Sequence, residues 1–150
     1  MVKDMDYRTR LENKIASFGG TINGVDSFCG REINERMVDE GVYFDGSKSL
    51  TNTDLDAGKC HENSIMVWLK NRDKLKICTG YCRSNGLAWY RHSWCVDENG
   101  VVYECTPNKR DCYYGLPLTD EETLVFIEAV LYPDQVQKIK NELNESSMSM

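Results

Sequence analysis

Cys60 is the residue that the sequence best equips to act as a nucleophile. It falls in the first turn of a helix predicted over 59–70, a run of good helix formers without Pro or Gly. Unpaired backbone N–H groups and the positive end of the helix dipole stabilise a thiolate at such a position. The same N–H groups can bind the oxyanion that forms when an acyl carbon is attacked. The pattern predicts an activated thiol, and a buried helix cysteine without chemistry is the alternative.

The chain contains two histidines, His61 and His92, so an imidazole base for this thiol must be one of them. Neighbouring residues on a helix point about 100° apart, so we expect His61 not to face Cys60. His92 lies in the middle of a strand predicted over 87–97, which is a rigid place to hold a base. We therefore predict His92 as the base, and a histidine of the core or surface without a chemical role is the alternative.

The hairpin after His92 predicts which acid orients the imidazole. The Glu-Asn-Gly sequence over 98–100 is a turn signal. A three-residue loop with Gly100 in the left-handed conformation places Glu104 diagonally across from His92 on one face, whereas Asp97 points to the other face. A two-residue loop would shift the register by one residue and break this pairing. We predict the three-residue loop and Glu104 as the orienting acid, and an exposed strand carboxylate is the alternative.

The chain has the order of residues found in activated-thiol enzymes: a cysteine on a helix, a histidine on a strand and an acid on the next strand. The hypothesis is thiol-dependent acyl chemistry: Cys60 attacks an amide or related carbonyl carbon, His92 transfers the proton and Glu104 fixes the imidazole tautomer. Hydrolysis of a peptide or isopeptide bond in a protein or peptide substrate is the first expectation. Glutamine deamidation and transglutaminase-type transfer to an amine begin with the same step and stay open. This chemistry requires no metal and no organic cofactor.

The composition is that of an ordinary globular chain. Its 150 residues are 41% hydrophobic and 28% charged, which suits one domain with its own core. The 24 acidic and 18 basic residues give a net charge of −6. Nucleic-acid binders and proteins that bind anionic membranes use clustered positive charge, so we expect neither kind of partner. No run reaches the roughly 18 apolar residues of a membrane helix.

Cysteine usage predicts a reducing compartment. The chain has seven cysteines, an odd number that does not suit a fully disulfide-bonded secreted domain. Residues 1–8 contain no apolar core of a signal peptide. We therefore expect free thiols and a cytoplasmic location. Most of these thiols would be inert core residues, and one of them could be a nucleophile.

The chain between these positions predicts an α+β fold in which helices surround a small antiparallel sheet. Apolar spacing predicts an amphipathic helix over 5–18, and Asp56 is the expected N-cap of the helix that carries Cys60. The apolar interval 123–130 is predicted as a strand, with a helix after Thr119 as the alternative. The other predicted elements are a short helix near 31–40 among loops, strands over 75–83, 87–97 and 101–106, a helix over 133–143 and a frayed tail over 144–150.

Four short motifs carry a resemblance to a known superfamily. They are Cys60-His61-Glu62-Asn63-Ser64, Gly80-Tyr81, His92-Ser93-Trp94 and Glu104-Cys105-Thr106-Pro107. Together they resemble the papain-like cysteine enzymes in their transglutaminase-like arrangement. With the segment 113–117 they are also similar to small uncharacterised proteins of phages and bacteria. The resemblance covers residues 59–118 and implies one papain-like domain over 1–150, in the host cytoplasm if the chain is encoded by a phage.

The resemblance also implies roles for individual residues. Cys60 would be the nucleophile, His92 the base and Glu104 the third member of a Cys-His-Glu triad. The chain departs from the superfamily at the acid, which is Glu in place of Asp. It also has no Gln shortly before Cys60 to donate a hydrogen bond to an oxyanion. Asn52 and Asn63 are the candidates for that orienting role.

An aromatic-rich sector supplies candidates for a substrate groove. They are Trp94, Tyr81 and Tyr114, although aromatic side chains also dominate protein cores. A non-catalytic protein that binds a partner on the same scaffold, as an inhibitor or anti-defence protein, is therefore an open alternative. Such a protein would tolerate loss of the nucleophile, whereas an enzyme would not. A structural zinc site is disfavoured because Cys78 and Cys82, four residues apart on a strand, are separated by roughly 13 Å.

Overall fold

A computed structural model describes residues 6–148 of the chain. These residues contain five α-helices and seven β-strands. The helices are α1 (Tyr7–Ala16), α2 (Arg31–Glu40), α3 (Cys60–Lys70), α4 (Asp120–Val130) and α5 (Pro133–Met148). The strands are β1 (Thr21–Ile22), β2 (Val42–Asp45), β3 (Leu50–Thr51), β4 (Leu75–Arg83), β5 (Ala88–Asp97), β6 (Val102–Glu104) and β7 (Cys112–Pro117). The predicted α+β class is confirmed. Within these residues no helix is long and apolar enough to cross a membrane.

One curled sheet contains the strands. Six of them follow the order β2-β7-β4-β5-β6-β3, and β1 pairs separately with β5. The long antiparallel hairpin of β4 and β5 lies at the centre and pairs continuously, from Leu75 opposite Asp97 to Arg83 opposite Trp89. The pairs β1 with β5 and β3 with β6 are parallel. The sheet is therefore larger than the predicted small antiparallel sheet, and it is mixed.

Both faces of the central hairpin are buried. One face packs against helices and forms the main core, which includes Tyr81 and Cys95. The opposite face carries a smaller apolar cluster around Trp94, whose other members are Phe44, Cys78, Cys82, Val96, Val102 and Tyr113. Because strand residues alternate between faces, adjacent positions on β5 enter different cores. His92 shares the face of Trp94 and stacks near it, whereas Ser93 faces the helices.

Strand β5 has an opening along one edge. On the side away from β4, β1 pairs with Ala88 and Trp89, and β6 pairs with Cys95 and Val96. Between these two pairings, no strand of the described chain borders residues 90–94 on that side. Helix α3 packs against β5, and its first turn reaches this stretch. We call residues 90–94 of β5 the edge opening. The first turn of α3 lies there in place of a neighbouring strand.

Helix α4 corrects the prediction of a strand over 123–130. Its N-terminus has a complete capping box, in which the Thr119 side chain accepts from the Glu122 N–H and the Glu122 side chain accepts from the Thr119 N–H. Phe126 and Ile127 are buried on one side of the helix. The capping box and the burial of one side therefore favour the helix after Thr119, which was the alternative for this apolar interval.

The ends of the chain depart from the predictions in length. Helix α5 continues to Met148, beyond the predicted end at 143, and residues 149–150 of the predicted frayed tail lie outside the described residues. Helix α1 lies within the predicted span 5–18, of which Met5 lies outside the described residues. Helices α2 and α3 and strands β4 and β5 match their predicted spans to within one residue. Strands β1 and β3 were not predicted because their two residues are too short for a periodic pattern.

Candidate active site

The turn between β5 and β6 has the predicted form. Val96 pairs with Val102, which is the register that places Glu104 diagonally across from His92. Gly100 adopts the left-handed conformation with φ of +80°. Its backbone N–H closes the turn with a hydrogen bond of 3.0 Å. The three-residue loop and the register derived from it are therefore confirmed.

Three side chains donate hydrogen bonds to the buried carboxylate of Glu104. His92 Nε2 lies 2.8 Å from Oε1 and 3.0 Å from Oε2. Tyr113 donates to Oε1 at 2.8 Å, and Thr106 donates to Oε2 at 2.7 Å. Burial raises the pKa of Glu104, but the hydrogen bonds from His92, Thr106 and Tyr113 outweigh it and hold that pKa below its ordinary value. The predicted pairing of His92 with Glu104 is present, and Tyr113 and Thr106 complete it.

Cys60 is the first residue of α3, as the nucleophile hypothesis requires. The N-cap is Lys59, whose side chain makes no capping hydrogen bond within the described part of the chain. The prediction of Asp56 as the N-cap is wrong, because the helix begins one turn later than that role allows. The Asp56 carbonyl instead accepts from Asn63 Nδ2 at 2.9 Å, and its carboxylate lies 3.8 Å from Lys59 Nζ. The backbone N–H groups of the first turn therefore face no capping side chain.

The Cys60 thiol interacts with two imidazoles. Its Sγ lies 3.7 Å from His61 Nδ1, and His92 is near enough to help lower its pKa. Burial raises the pKa of Cys60, but the interactions with His61 and His92 outweigh it and lower that pKa to about 5. Burial lowers the pKa of His92, but its interactions with Cys60 and Glu104 raise it to about 9. Near neutral pH the pair is therefore a thiolate and an imidazolium.

His61 is the site residue that sequence reasoning missed. The expectation that it would not face Cys60 is wrong, because an imidazole is long enough to reach back to the neighbouring sulfur across an angle of about 100°. Its Nδ1 also lies 2.7 Å from Ser93 Oγ. Phe28 stacks on the ring with centroids 4.4 Å apart, and Phe126 packs edge-on at 5.9 Å. The available signal was a histidine beside the cysteine together with a serine beside the predicted base.

The two predicted oxyanion donors have other roles. Asn63 Nδ2 donates to the carbonyls of Asp56 and Cys105, each at 2.9 Å. An amide has two N–H bonds, so Asn63 has none left for an oxyanion, and that prediction is wrong. The Asn52 side-chain oxygen accepts a hydrogen bond from the Asp54 backbone N–H at 3.0 Å. The backbone N–H of Asn52 donates to the Thr106 carbonyl at 3.3 Å. Within the described chain no hydrogen bond joins Asn52 to the thiol.

The predicted groove residues are core residues. Trp94, Tyr81 and Tyr114 are 0%, 2% and 1% exposed. They cannot line an open groove, because both faces of the hairpin that carries or adjoins them are covered. Two other aromatic residues have accessible surface beside the site: the half-buried Phe28 and Tyr90, which is 42% exposed. The Tyr90 ring centroid lies 6.2 Å from that of the predicted base.

Arg91 fixes the loop that carries Phe28. Its side chain is 9% exposed and forms an ion pair of 3.2 Å with Asp26. It also donates to Asn34 Oδ1 at 2.9 Å, to the Phe28 carbonyl at 3.3 Å and to Thr79 Oγ1 at 3.3 Å. One buried guanidinium therefore joins this loop, helix α2 and the central hairpin.

Cysteine, histidine and carboxylate side chains are the ones that could hold a metal ion. Among the described residues, no group of three or more lies close enough together to do so. All seven cysteines are free thiols, and only Cys29 and Cys60 are not fully buried. Burial raises the pKa of Cys29 to about 12, in the opposite direction from that of Cys60. Cys60 is therefore the thiol that combines access with activation.

The site brings a thiol, an imidazole and a carboxylate together at the edge opening. This arrangement is built on a mixed α+β fold with five helices. The resemblance to papain-like enzymes rests on the motif residues, since no known protein family, curated protein or solved structure matches the chain.

Proposed function

We propose that the protein is a cysteine acyl hydrolase with a papain-like site, whose first substrates are peptide or isopeptide bonds. The observation that carries the proposal is the half-buried Cys60 at a helix start, with its pKa lowered by His61 and His92, beside the hydrogen-bonded pair of His92 and Glu104. A purely structural buried ion pair would not need a reactive thiol beside it. The helix start, the lowered thiol pKa and the partial exposure favour chemistry at Cys60.

The acylation step follows from which ring nitrogen is available. His92 Nε2 is held by Glu104, so Nδ1 is the nitrogen that carries the proton for Cys60. The thiolate attacks the carbonyl carbon, an S–C bond forms and the π electrons move to the oxygen. The tetrahedral intermediate collapses, the C–N bond breaks and the departing amine takes the proton from Nδ1. The products of this half-reaction are a thioester on Cys60 and a neutral His92.

Water completes the cycle in the second half-reaction. It attacks the thioester carbon while Nδ1 accepts its proton, and the C–S bond breaks to release a carboxylic acid. The thiolate and the imidazolium are thereby restored. An amine that replaces water at this stage gives transfer instead of hydrolysis, and a glutamine side chain as acyl donor gives deamidation. These three outcomes share the residues of the first step.

The oxyanion is expected to bind at the start of α3. The first-turn N–H groups have no intrahelical acceptor, and the N-cap side chain of Lys59 supplies none within the described chain. Backbone donors fixed in a helix turn need no reorganisation when negative charge develops nearby. The backbone N–H groups at Cys60 are therefore expected to bind the oxyanion, a role for which Asn52 and Asn63 were the side-chain candidates.

The free thiol requires a reducing environment. Six further cysteines lie in the same chain, and all seven are unpaired in the structure. Oxidation of Cys60 would remove the nucleophile, so we propose a reducing cytoplasm as the working compartment.

The proposal can be tested with p-nitrophenyl acetate as an activated acyl donor. We expect a rapid release of one p-nitrophenolate for each chain, and intact mass followed by peptide mapping should locate the acetyl group on Cys60. Slow turnover should follow as the thioester hydrolyses. If Cys60 acquires no acetyl group faster than Cys29 does, the enzyme proposal is wrong and a non-catalytic binding protein is the better account.

The rate of acylation should depend on pH with two limbs. The pKa of Cys60 is lowered to about 5, so the nucleophilic thiolate forms as pH rises through that value. The pKa of His92 is raised to about 9, so the proton needed by the leaving group is lost as pH rises through that value. We therefore expect kcat/KM for an amide substrate to be highest between these limits. A single limb near the pKa of an ordinary thiol would contradict this assignment.

A further inference from the structure

The second histidine of the site is part of a hydrogen-bond series that the triad does not use. His61 Nδ1 lies 3.7 Å from Cys60 Sγ and 2.7 Å from Ser93 Oγ. Ser93 and Thr79 are paired across β4 and β5, with their hydroxyl oxygens 3.0 Å apart. This series begins at the sulfur and ends at the buried guanidinium of Arg91.

The directions of these hydrogen bonds determine the tautomer of His61. Arg91 can only donate, and its Nη2 donates to Thr79 Oγ1 at 3.3 Å. Ser93 donates its single hydroxyl hydrogen to the same Thr79 oxygen. Ser93 Oγ must therefore accept at its short contact of 2.7 Å with His61 Nδ1. The hydrogen of His61 consequently lies on Nδ1, the atom that also faces the sulfur.

Packing holds the ring in this position. Phe28 stacks on it at 4.4 Å, and the ring of Phe126 from α4 packs edge-on at 5.9 Å. Phe28 is itself fixed by the hydrogen bond from Arg91 to its carbonyl. The imidazole therefore cannot turn its other nitrogen to the sulfur without separating these rings.

We infer that His61 is a further catalytic residue, whose single Nδ1–H is shared between Ser93 Oγ and the Cys60 thiolate and stays on Nδ1 throughout the cycle. The two imidazoles then have different tasks. His61 stabilises the anionic sulfur, and His92 carries the proton that moves to the leaving group. This inference rests on the proposed function in one respect, since it takes Cys60 as the nucleophile.

The division of tasks has a consequence for each histidine. Removing His92 should abolish acyl transfer and yet leave a thiol that is more acidic than an ordinary cysteine. Removing the donor of His61 should make the thiol less acidic while the proton carrier stays in place. The charged groups around the pair are His92 on β5, Glu104 on β6 and Arg91 with Asp26, and all of them are retained in a His61 variant.

Alkylation of Cys60 by iodoacetamide, followed against pH by peptide mapping, tests this directly. His61→Phe retains an aromatic ring beside Phe28 but has no N–H, and His61→Asn can place an amide N–H near the position of Nδ1. We expect the midpoint of His61→Phe to rise by about one pH unit, a tenfold loss of thiolate below the midpoint, and His61→Asn to remain close to the parent. His92→Ala should keep a midpoint below the ordinary cysteine value of about 8.5, and His61→Phe combined with His92→Ala should not.

A midpoint for His61→Phe equal to that of the parent overturns the inference, as does a His92→Ala thiol that behaves like an ordinary cysteine. If the parent thiol itself titrates like an ordinary cysteine, at about pH 8.5, the proposed function fails as well, so the two failures can be told apart. Nitrogen-15 NMR of the unaltered protein gives a test that needs no variant to fold, because the chain has two histidines. We expect His61 Nδ1 to show the shift of a protonated nitrogen, and an unprotonated Nδ1 overturns the inference.

Discussion

Replacing Cys60 with alanine is expected to reduce acyl transfer by at least about a thousandfold, because removal of a nucleophile leaves only binding and oxyanion stabilisation. The change should barely affect folding, since the side chain is half-buried at a helix start and a methyl group suits that position. Turnover of the p-nitrophenyl ester and a thermal melt of the same sample measure the two effects.

Cys29 provides the matched control for this variant. It is the other cysteine that is not fully buried, and its pKa is raised to about 12 instead of lowered. Its backbone has a positive φ of 68°. Serine is the suitable replacement because it has nearly the size and shape of cysteine and adds no strain at that backbone conformation. Cys29→Ser should keep the parental rate. Equal rates for Cys60→Ala and the parent would show that the thiol has no part in turnover and would favour the binding-protein account.

Glu104→Gln is expected to reduce kcat/KM by about a thousandfold while leaving the shape of the site nearly unchanged. A carboxylate accepts from His92 Nε2 at 2.8 Å and 3.0 Å, whereas an amide can place its NH2 group against that nitrogen. The imidazole would then hold its hydrogen on the wrong nitrogen, or would lose the charge that raises its pKa. Steady-state kinetics across pH should show a lower rate and a high-pH limb moved downward from about 9.

Two further variants separate orientation by Glu104 from other causes. Tyr113→Phe removes one donor to the carboxylate and should lower the rate by only about tenfold, because His92 and Thr106 still hold it. Asp97→Ala should leave the rate unchanged, since Asp97 Oδ1 accepts from the N–H groups of Asn99 and Val101 within the turn. A loss of rate in Asp97→Ala with full activity in Glu104→Gln would identify Asp97 as the orienting carboxylate.

The relation of His92 to Glu104 was predictable because a short turn determines a register. Gly100 permits the left-handed conformation that a three-residue loop requires, and every pair further along the hairpin follows from it. The helix position of Cys60 was equally accessible, because an uninterrupted run of helix formers begins there. Local sequence thus predicts the helix start at Cys60 and the pairing of His92 with Glu104. Only the structure shows that these two features lie next to each other at the edge opening.

The remaining parts depend on contacts distant in sequence. Trp94 and Tyr114 are buried because both faces of the central hairpin are covered, which strand alternation alone does not reveal. His61 was excluded by its direction from the helix axis, although its position depends on Ser93, 32 residues further along the chain. The apolar interval 123–130 alone fits a strand or a helix, and the capping box of Thr119 and Glu122 is the local signal that favours the helix.

The edge opening divides the site into a rigid part and an adjustable part. His92 lies inside the continuous ladder of β4 and β5, and Glu104 ends strand β6, which pairs with β5 at Cys95 and Val96. The nucleophile instead lies on a helix end, which the Asn63 amide joins to the preceding loop and to Cys105, the residue after β6. Helix ends exchange and reorder faster than central strands. A substrate that binds at the opening is therefore expected to restrict the first turn of α3 more than the strand that carries His92.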